Sequence, residues 1–376
     1  MFKIELNQGV RVFQMLQKNT TTYILTALIS LAAVFANISD AKAQNIRQYQ
    51  MAPGPNGAQL VMRNVMRPEP SAYEVLVRVR AVSLNRRDLA VLDGNPPIGL
   101  IPTSDGAGEV IAIGSNVTEF AVGDRVAGTF FADWPGGRRT EETLATGRGG
   151  IVDGMLSEMI VSHETGLVLI PDYLSFEEAA TLPCAALTAW RALFTEGDLQ
   201  DEQYVLLEGT GGVSIFGLQL AAAAGAKPII TSSSDEKLIK ATTLGAVGTV
   251  NYRTNNEWQN TVLELTEGDG IDHVLDVVGR ETLYRALETL ALDGHIAIIG
   301  ALSGRADALP LGSLPRGASM TNIAVGSRED FQAMNEFLTK HELRPVIDRV
   351  FAFEEAPAAY EYMDSSAHLG KIVITL

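Results

Sequence analysis

The sequence predicts an α/β fold in which a doubly wound parallel sheet is inserted into a split, β-rich domain. Three observations carry this. From Asn45 to about Leu169 the apolar residues alternate in short runs separated by Gly and Pro, the two-residue period of half-buried strands. From about Ser175 compact apolar strands alternate with helical patterns, as in right-handed βαβ units that cover a parallel sheet on both faces. After about Leu311 a helix and a last strand return to the first style.

In chain order, the first strands are IRQYQ, QLVMRNV, YEVLVRVRAVSL, GAGEVIAIG and GDRVAGTF. The helical segment EEAATLPCAALTAWRAL opens the second region, followed by the strand YVLLEG, an Ala-rich helix and the strand KPIITSS. Further strands lie at GTVNY, HVLDVVG and HIAIIGAL, and the tail holds the helix REDFQAMNEFLTKH and the strand KIVITL. The expected division is 44–170 for the first part of the β-rich domain, 171–310 for the doubly wound domain and 311–376 for the return.

Length and composition bound the function. A chain of 376 residues, 46% hydrophobic and 20% charged, has material for two globular domains. Its 29 Lys and Arg against 45 Asp and Glu give a net charge of −16, which excludes nucleic-acid binding by bulk electrostatics. Any phosphate it holds needs a local site. A single cysteine, Cys184, excludes an internal disulfide, a thiolate zinc cluster and an iron–sulfur centre.

Residues 1–43 read as a signal peptide. Lys3, Arg11 and Lys18 precede an apolar run, Tyr23 to Ala36, and Ala41-Lys42-Ala43 has the small-x-small form of a cleavage site. At 14 residues that run is short for a spanning helix, which needs about 20. Export to the periplasm is therefore expected, with only transient membrane contact through the leader; the alternatives are an uncleaved anchor, or an upstream start codon misassigned to a cytoplasmic enzyme. Amino-terminal sequencing of the native protein reads this directly, with Gln44 first.

The strongest chemical motif follows the strand Tyr204 to Glu208. Gly209-Thr210-Gly211-Gly212-Val213-Ser214 leads into the Ala-rich helix, giving strand, glycine turn and helix. Glycines let the backbone approach a pyrophosphate, whose charge is met by free amides at the helix start. Ser214 stands where the third glycine of G-x-G-x-x-G is expected. The next strand ends in Thr231-Ser232-Ser233-Ser234, with Lys237 and Tyr252 nearby. Hydroxyls and a cation suit the 2′-phosphate of NADPH, where an NAD site places a carboxylate. The counter-reading takes Asp235 as that carboxylate, although Ser234 and Asp235 also suit a helix start.

These motifs, together with SLNRRDL (83–89), PTSDGAGEVIAIG (102–114), VGDRV (122–126), AATLPCAALTAWRAL (179–193), DGHIAIIG (293–300) and HLGKIVI (368–374), resemble the medium-chain dehydrogenase/reductase superfamily, in its zinc-independent quinone oxidoreductase and alcohol-dehydrogenase-like branch. The resemblance spans essentially 45–376. It implies a GroES-like catalytic domain, a Rossmann domain and hydride transfer between nicotinamide and a small-molecule substrate; a homodimer is also expected. It further implies that Asn85 and Thr188 contact the nicotinamide side, Gly211 to Val213 the pyrophosphate, and Ser232, Lys237 and Tyr252 the 2′-phosphate. Gly300 and Leu302 would border the nicotinamide.

Departures from the zinc enzymes of that superfamily predict no metal. A catalytic zinc needs three protein ligands and one open position. Here the first ligand's segment is LNRRD, without Cys; the His-Glu position reads Ser104-Asp105; and only Cys184 matches a ligand. The region 129–154 has no cysteine for a structural zinc lobe, and the five histidines show no ligand spacing. Catalysis then rests on donors and cations near the reacting oxygen. Asn85, Arg86 and Thr188 are the candidate catalytic residues, with Arg87 beside Arg86 as a second candidate cation unless the two are an exposed pair or bridge to Asp88, and Phe130, Phe131 and Trp134 are a candidate apolar wall. The expected activity is NADPH-dependent reduction of a quinone, an activated alkene or a carbonyl compound. A non-catalytic NADPH-binding protein of the same fold is the alternative, separable by turnover on a substrate panel.

Overall fold

The computed structural model describes residues 45–54, 57–304 and 314–376. The expected signal peptide, 1–43, lies outside the described residues. Arg47–Arg63 and Pro68–Leu376 form the compact unit that carries the site.

A ribbon of β1 (Asn45–Gly54) and β2 (Gly57–Met66) is followed by the strands of the β-rich domain: β3 (Glu74–Leu84), β4 (Asp105–Ile113), β5 (Arg125–Gly128), β6 (Met159–His163) and β7 (Leu167–Leu169). Six parallel strands come next, β8 (Tyr204–Glu208), β9 (Lys227–Ser232), β10 (Gly248–Asn251), β11 (Ile271–Asp276), β12 (Leu290–Ile298) and β13 (Ser319–Asn322). Their spatial order is β10-β9-β8-β11-β12-β13, so successive strands run outward in opposite directions from the β8–β11 pair. That reversal is the topological switch point where doubly wound sheets bind ligands. Continuous apolar runs suit a sheet covered on both faces: Val205, Leu206, Leu207, Ile229, Ile230, Val274 and Leu275 are fully buried.

The parallel sheet extends past the expected boundary at 310. Ser319–Asn322 pairs in parallel with His295–Ile298, so the first residues of the expected return segment add a sixth strand instead. The return begins with β14 (Ile347–Ala352) and β15 (Lys371–Thr375), which complete the first sheet in the order β14-β15-β3-β4-β5-β7, with β6 on β3. Two registers here place the site. Ile372 of β15 lies opposite Leu84 of β3, and Ser83 of β3 lies opposite Asp105 of β4. The start of β15, the end of β3 and the start of β4 therefore converge on one spot.

Candidate active site and dinucleotide site

The glycine turn is built from backbone geometry. Gly209 has φ of +74°, in the left-handed region where a side chain is strained, and it turns the chain from β8 toward the helix Gly212–Ala223. A Cβ placed on Gly209 or on Gly211 would meet no atom within 4 Å, so both face open space beside the free amides of the helix start. Gly212 is different. A Cβ there would lie 2.8 Å from Lys371 Cδ and 3.1 Å from Ala185 Cβ. Val213 sits half-buried in the first helical turn. Ser214 is buried, and its hydroxyl donates to the Glu208 carbonyl at 2.7 Å. The close approach of helix to strand occurs at Gly217, where a Cβ would lie 2.7 Å from Leu207 Cδ2. The turn thus offers what a pyrophosphate needs, a bare backbone at a helix amino end.

At the end of β9, Ser232 is buried, its hydroxyl accepts from Ser234 N at 3.3 Å, and its carbonyl accepts from Tyr252 N at 3.1 Å. Ser233 is half-buried and Tyr252 exposed beside it. Ser234 caps the helix Asp235–Thr243, accepting from Lys237 N at 3.4 Å, while Asp235 accepts from Asn251 Nδ2 at 2.6 Å. Lys237 is turned away from the hydroxyls: its ammonium donates to the carbonyls of His368 at 2.8 Å and Ser366 at 3.3 Å. Partial burial lowers its pKa.

The second cluster forms where β15, β3 and β4 converge. Asn85 caps the helix Arg86–Asp93, and its backbone N–H donates to Asp88 Oδ2 at 2.7 Å. Asn85 Oδ1 accepts from Lys371 Nζ at 2.6 Å, and the same ammonium donates to the Leu84 carbonyl at 2.7 Å. Asp105 Oδ2 lies 3.8 Å from Nζ and accepts from Cys184 N at 3.3 Å, while Oδ1 accepts from Ser104 Oγ at 2.7 Å. Burial raises the Asp105 pKa, against the charge of Lys371 and the donors Asn85, Ser104 and Cys184 N–H, which favour the ionised form. Burial also pushes Asp88 up to about 6, opposed by Arg87. Asn85 Nδ2 is buried and makes no hydrogen bond of good geometry among the described residues, although the amide lies near enough to Asp105 to favour its ionised form.

Other expected residues distribute unevenly. Thr188 is buried, and its hydroxyl donates to the Cys184 carbonyl at 2.7 Å, leaving oxygen lone pairs as its free capacity. Arg86 does not join the cluster. It is exposed and lies 3.5 Å from Asp364, because successive residues of a helix point about 100° apart. Arg87 is the one turned inward, donating to the Arg148 carbonyl at 2.8 Å and lying 4.7 Å from the Phe130 ring centroid. Phe130, Phe131 and Trp134 pack edge to face as a buried group. Gly300 is required by close packing, since a Cβ there would lie 2.3 Å from the Val277 carbonyl, and Leu302 is exposed.

Sequence reasoning missed two features. Lys371 was part of HLGKIVI without a role. Glu208 and Asp276, at the ends of β8 and β11, are buried acids beside the glycine turn, and burial with the facing Asp276 raises the Glu208 pKa well above the ordinary range.

Among the described residues no group of three or more His, Cys, Asp or Glu is placed to hold a metal ion. The chemistry of the cluster agrees with that: an ammonium and a carboxamide are not zinc ligands, and burial and Asp105 raise the Cys184 thiol away from the thiolate. Zinc does not fit these donors.

An open glycine turn at the switch point of a Rossmann sheet, beside a polar cluster on a β-rich domain, defines a nicotinamide-dependent oxidoreductase. Residues 71–172 match the alcohol dehydrogenase GroES-like domain, and 212–340 match the zinc-binding dehydrogenase family. A zinc-type alcohol dehydrogenase-like protein of Schizosaccharomyces pombe is 42% identical over 314 residues, 81% of this chain and 91% of its own length. A quinone oxidoreductase of Pseudomonas aeruginosa is 34% identical over 329 residues, 84% of this chain and 95% of its own. A crystal structure described as an NAD-dependent alcohol dehydrogenase superposes with a TM-score of 0.79 at 32% identity, covering 88% of this chain and 99% of that one. The chain belongs to the medium-chain dehydrogenase/reductase superfamily, in its quinone oxidoreductase and alcohol-dehydrogenase-like branch.

Proposed function

We propose that this protein is an NADPH-dependent, zinc-independent reductase of quinones, activated alkenes or carbonyl compounds. The observation that carries the reading is the buried amide nitrogen of Asn85, a donor that makes no hydrogen bond of good geometry among the described residues and is held in a polar cluster near the glycine turn. Bound nicotinamide supplies the hydride. The chain's own residues do the rest. Gly209 and Gly211 leave the backbone bare for the pyrophosphate. Thr188 has only acceptor capacity left, which suits the amide protons of a carboxamide. Asn85 Nδ2 donates to the substrate oxygen on which negative charge grows, a stabilisation that acts most strongly in the transition state.

The choice of NADPH rests on Ser232, Ser233, Lys237 and Tyr252. Lys237 donates to two carbonyls, so one of its three protons is left for a 2′-phosphate, assisted by the hydroxyls. The test is steady-state turnover with both cofactors on a panel of quinones and enals. NADPH is expected to be preferred by at least about tenfold in kcat/KM, roughly 1.4 kcal/mol, and Lys237→Ala to remove most of the preference. Equal efficiency with NADH overturns the cofactor choice, and no turnover on any substrate overturns the enzyme.

A further inference from the structure

We infer that Lys371 is the positioning residue of this site: its ammonium engages the Asn85 amide oxygen, which leaves the N–H bonds as that side chain's remaining capacity, and supplies a resident positive charge among the residues that stand in place of zinc ligands. The inference deepens the reading above and rests on it for the role of Asn85.

An asparagine amide can ordinarily be turned either way about its last bond. A lysine ammonium has donors only, so the atom 2.6 Å from Nζ must be the amide oxygen. With that oxygen engaged, the remaining capacity of Asn85 is its two N–H bonds, on a nitrogen that lies near Asp105 but makes no hydrogen bond of good geometry among the described residues, so an N–H is left to donate. Lys371 thereby turns a two-way group into a donor. The positions come from the registers: Lys371 opens β15 directly before Ile372, which faces Leu84, so its side chain reaches the end of β3.

Packing alone does not account for this lysine. It is 2% exposed, and a buried ion pair is often replaced by apolar residues at no loss of stability. Nor is it needed to join β15 to β3, because the backbone pairs from Ile372 to Thr375 already do so. The side chain instead spans two functional elements. Its stem lies against Gly212 of the dinucleotide turn, and its head meets Asn85, Leu84 and Asp105. The charge is thus built into the chain: Asp105 balances the ammonium, and Asn85 carries its polarising effect to the substrate oxygen.

The test uses Lys371→Met, Lys371→Arg and the charge-balanced double variant Lys371→Met with Asp105→Asn, which guards against misfolding from an unpaired buried carboxylate. Lys371→Met or the double variant is expected to lower kcat by about tenfold or more with an electron-poor quinone, the size of effect of a displaced oxyanion donor. NADPH affinity, read by cofactor fluorescence, should stay within about threefold, and Lys371→Arg should recover most of the loss. Asn85→Ala should cost about tenfold in the intact protein but less than about twofold on top of Lys371→Met, since the two act as one unit. A kcat within about threefold of the intact protein, or effects that multiply, overturns the inference. If the intact protein reduces nothing on the panel, the functional reading fails, and a crystal structure of the double variant still decides the positioning. Asn85 leaving its single rotamer supports it, and Asn85 unmoved overturns it.

Discussion

Two buried acidic clusters flank the same glycine turn, and their buried carboxyls are matched by different means. Glu208 stands immediately before Gly209, facing Asp276 across the switch point, while Asp105 lies with Lys371, whose stem touches Gly212. Asp105 is countered by an ammonium 3.8 Å away and by donors on both oxygens. Glu208 has a second acid as its neighbour. Glu208 Oε2 accepts from Thr282 Oγ1 at 3.0 Å and Asp276 Oδ1 from Gly279 N at 2.8 Å and Val278 N at 3.1 Å, yet Glu208 Oε1 and Asp276 Oδ2 have no donor. A proton kept by Glu208 and directed at Asp276 supplies one, consistent with its raised pKa. A buried carboxyl can be matched by a counter-charge or by its own proton, and the two solutions respond oppositely to mutation and pH.

The largest effect is expected where a counter-charge is removed. Asp105→Ala leaves the Lys371 ammonium buried without its nearest counter-charge, and breaking such a pair costs about 3–5 kcal/mol. Denaturant unfolding at neutral pH measures it. A loss below about 1 kcal/mol would mean that the ammonium does not depend on Asp105, and the contrast between the clusters would fail.

Much of this architecture was legible in the sequence because it depends on local chain properties. The glycine turn declares itself, since Gly209 needs a positive φ and the flanking strand and helix have their own periods. The βαβ order gave the doubly wound sheet, but β13 was assigned to the wrong side of the boundary because a four-residue strand, Ser319–Asn322, has little periodicity. What escaped was chemistry between distant segments. Lys371 and Asn85 are 286 positions apart, and only the pairing of β15 with β3 joins them. Glu208 and Asp276 each read as an ordinary strand end until β8 and β11 lie side by side. Adjacent Arg86 and Arg87 are equivalent as letters, and helical rotation alone sends one to solvent and one inward. Likewise the motif marks Ser214, whose hydroxyl meets the end of β8, but not Gly217, one turn later, where a Cβ would press on Leu207.

A smaller effect separates the cofactor face of the turn from the face that touches Lys371. Gly211 has φ of −77°, a conformation alanine adopts freely, and its Cβ direction is empty. Gly211→Ala should therefore leave stability within about 0.5 kcal/mol while a methyl group fills the cradle. NADPH affinity, titrated by fluorescence, is expected to fall at least about tenfold, or 1.4 kcal/mol. Gly212→Ala differs, because its methyl would press on Lys371 Cδ at 2.8 Å, so stability should fall as well. Equal stabilities for the two variants would show that the turn and the Lys371 cluster are not coupled through that contact.

The effect that is smallest near pH 4, and the one of opposite sign, belongs to Glu208→Gln. Near pH 4 the carboxyl is protonated in the folded chain and mostly so in the unfolded chain, and the glutamine amide replaces the proton with an N–H directed at Asp276. The stability difference there should be below about 1 kcal/mol. As pH rises past the unfolded value of 4.5, the unfolded chain releases its proton while folded Glu208 keeps it. The folded state then binds more protons than the unfolded one, so the intact protein loses stability with rising pH until the folded value is passed. Glutamine carries no such dependence. Relative to the intact protein, Glu208→Gln should gain stability as pH rises above 4.5 until the folded value is passed, in denaturant melts taken at several pH values. A variant that instead loses stability over that range would mean that Glu208 is folded as an anion, and both clusters would then be matched by counter-charge.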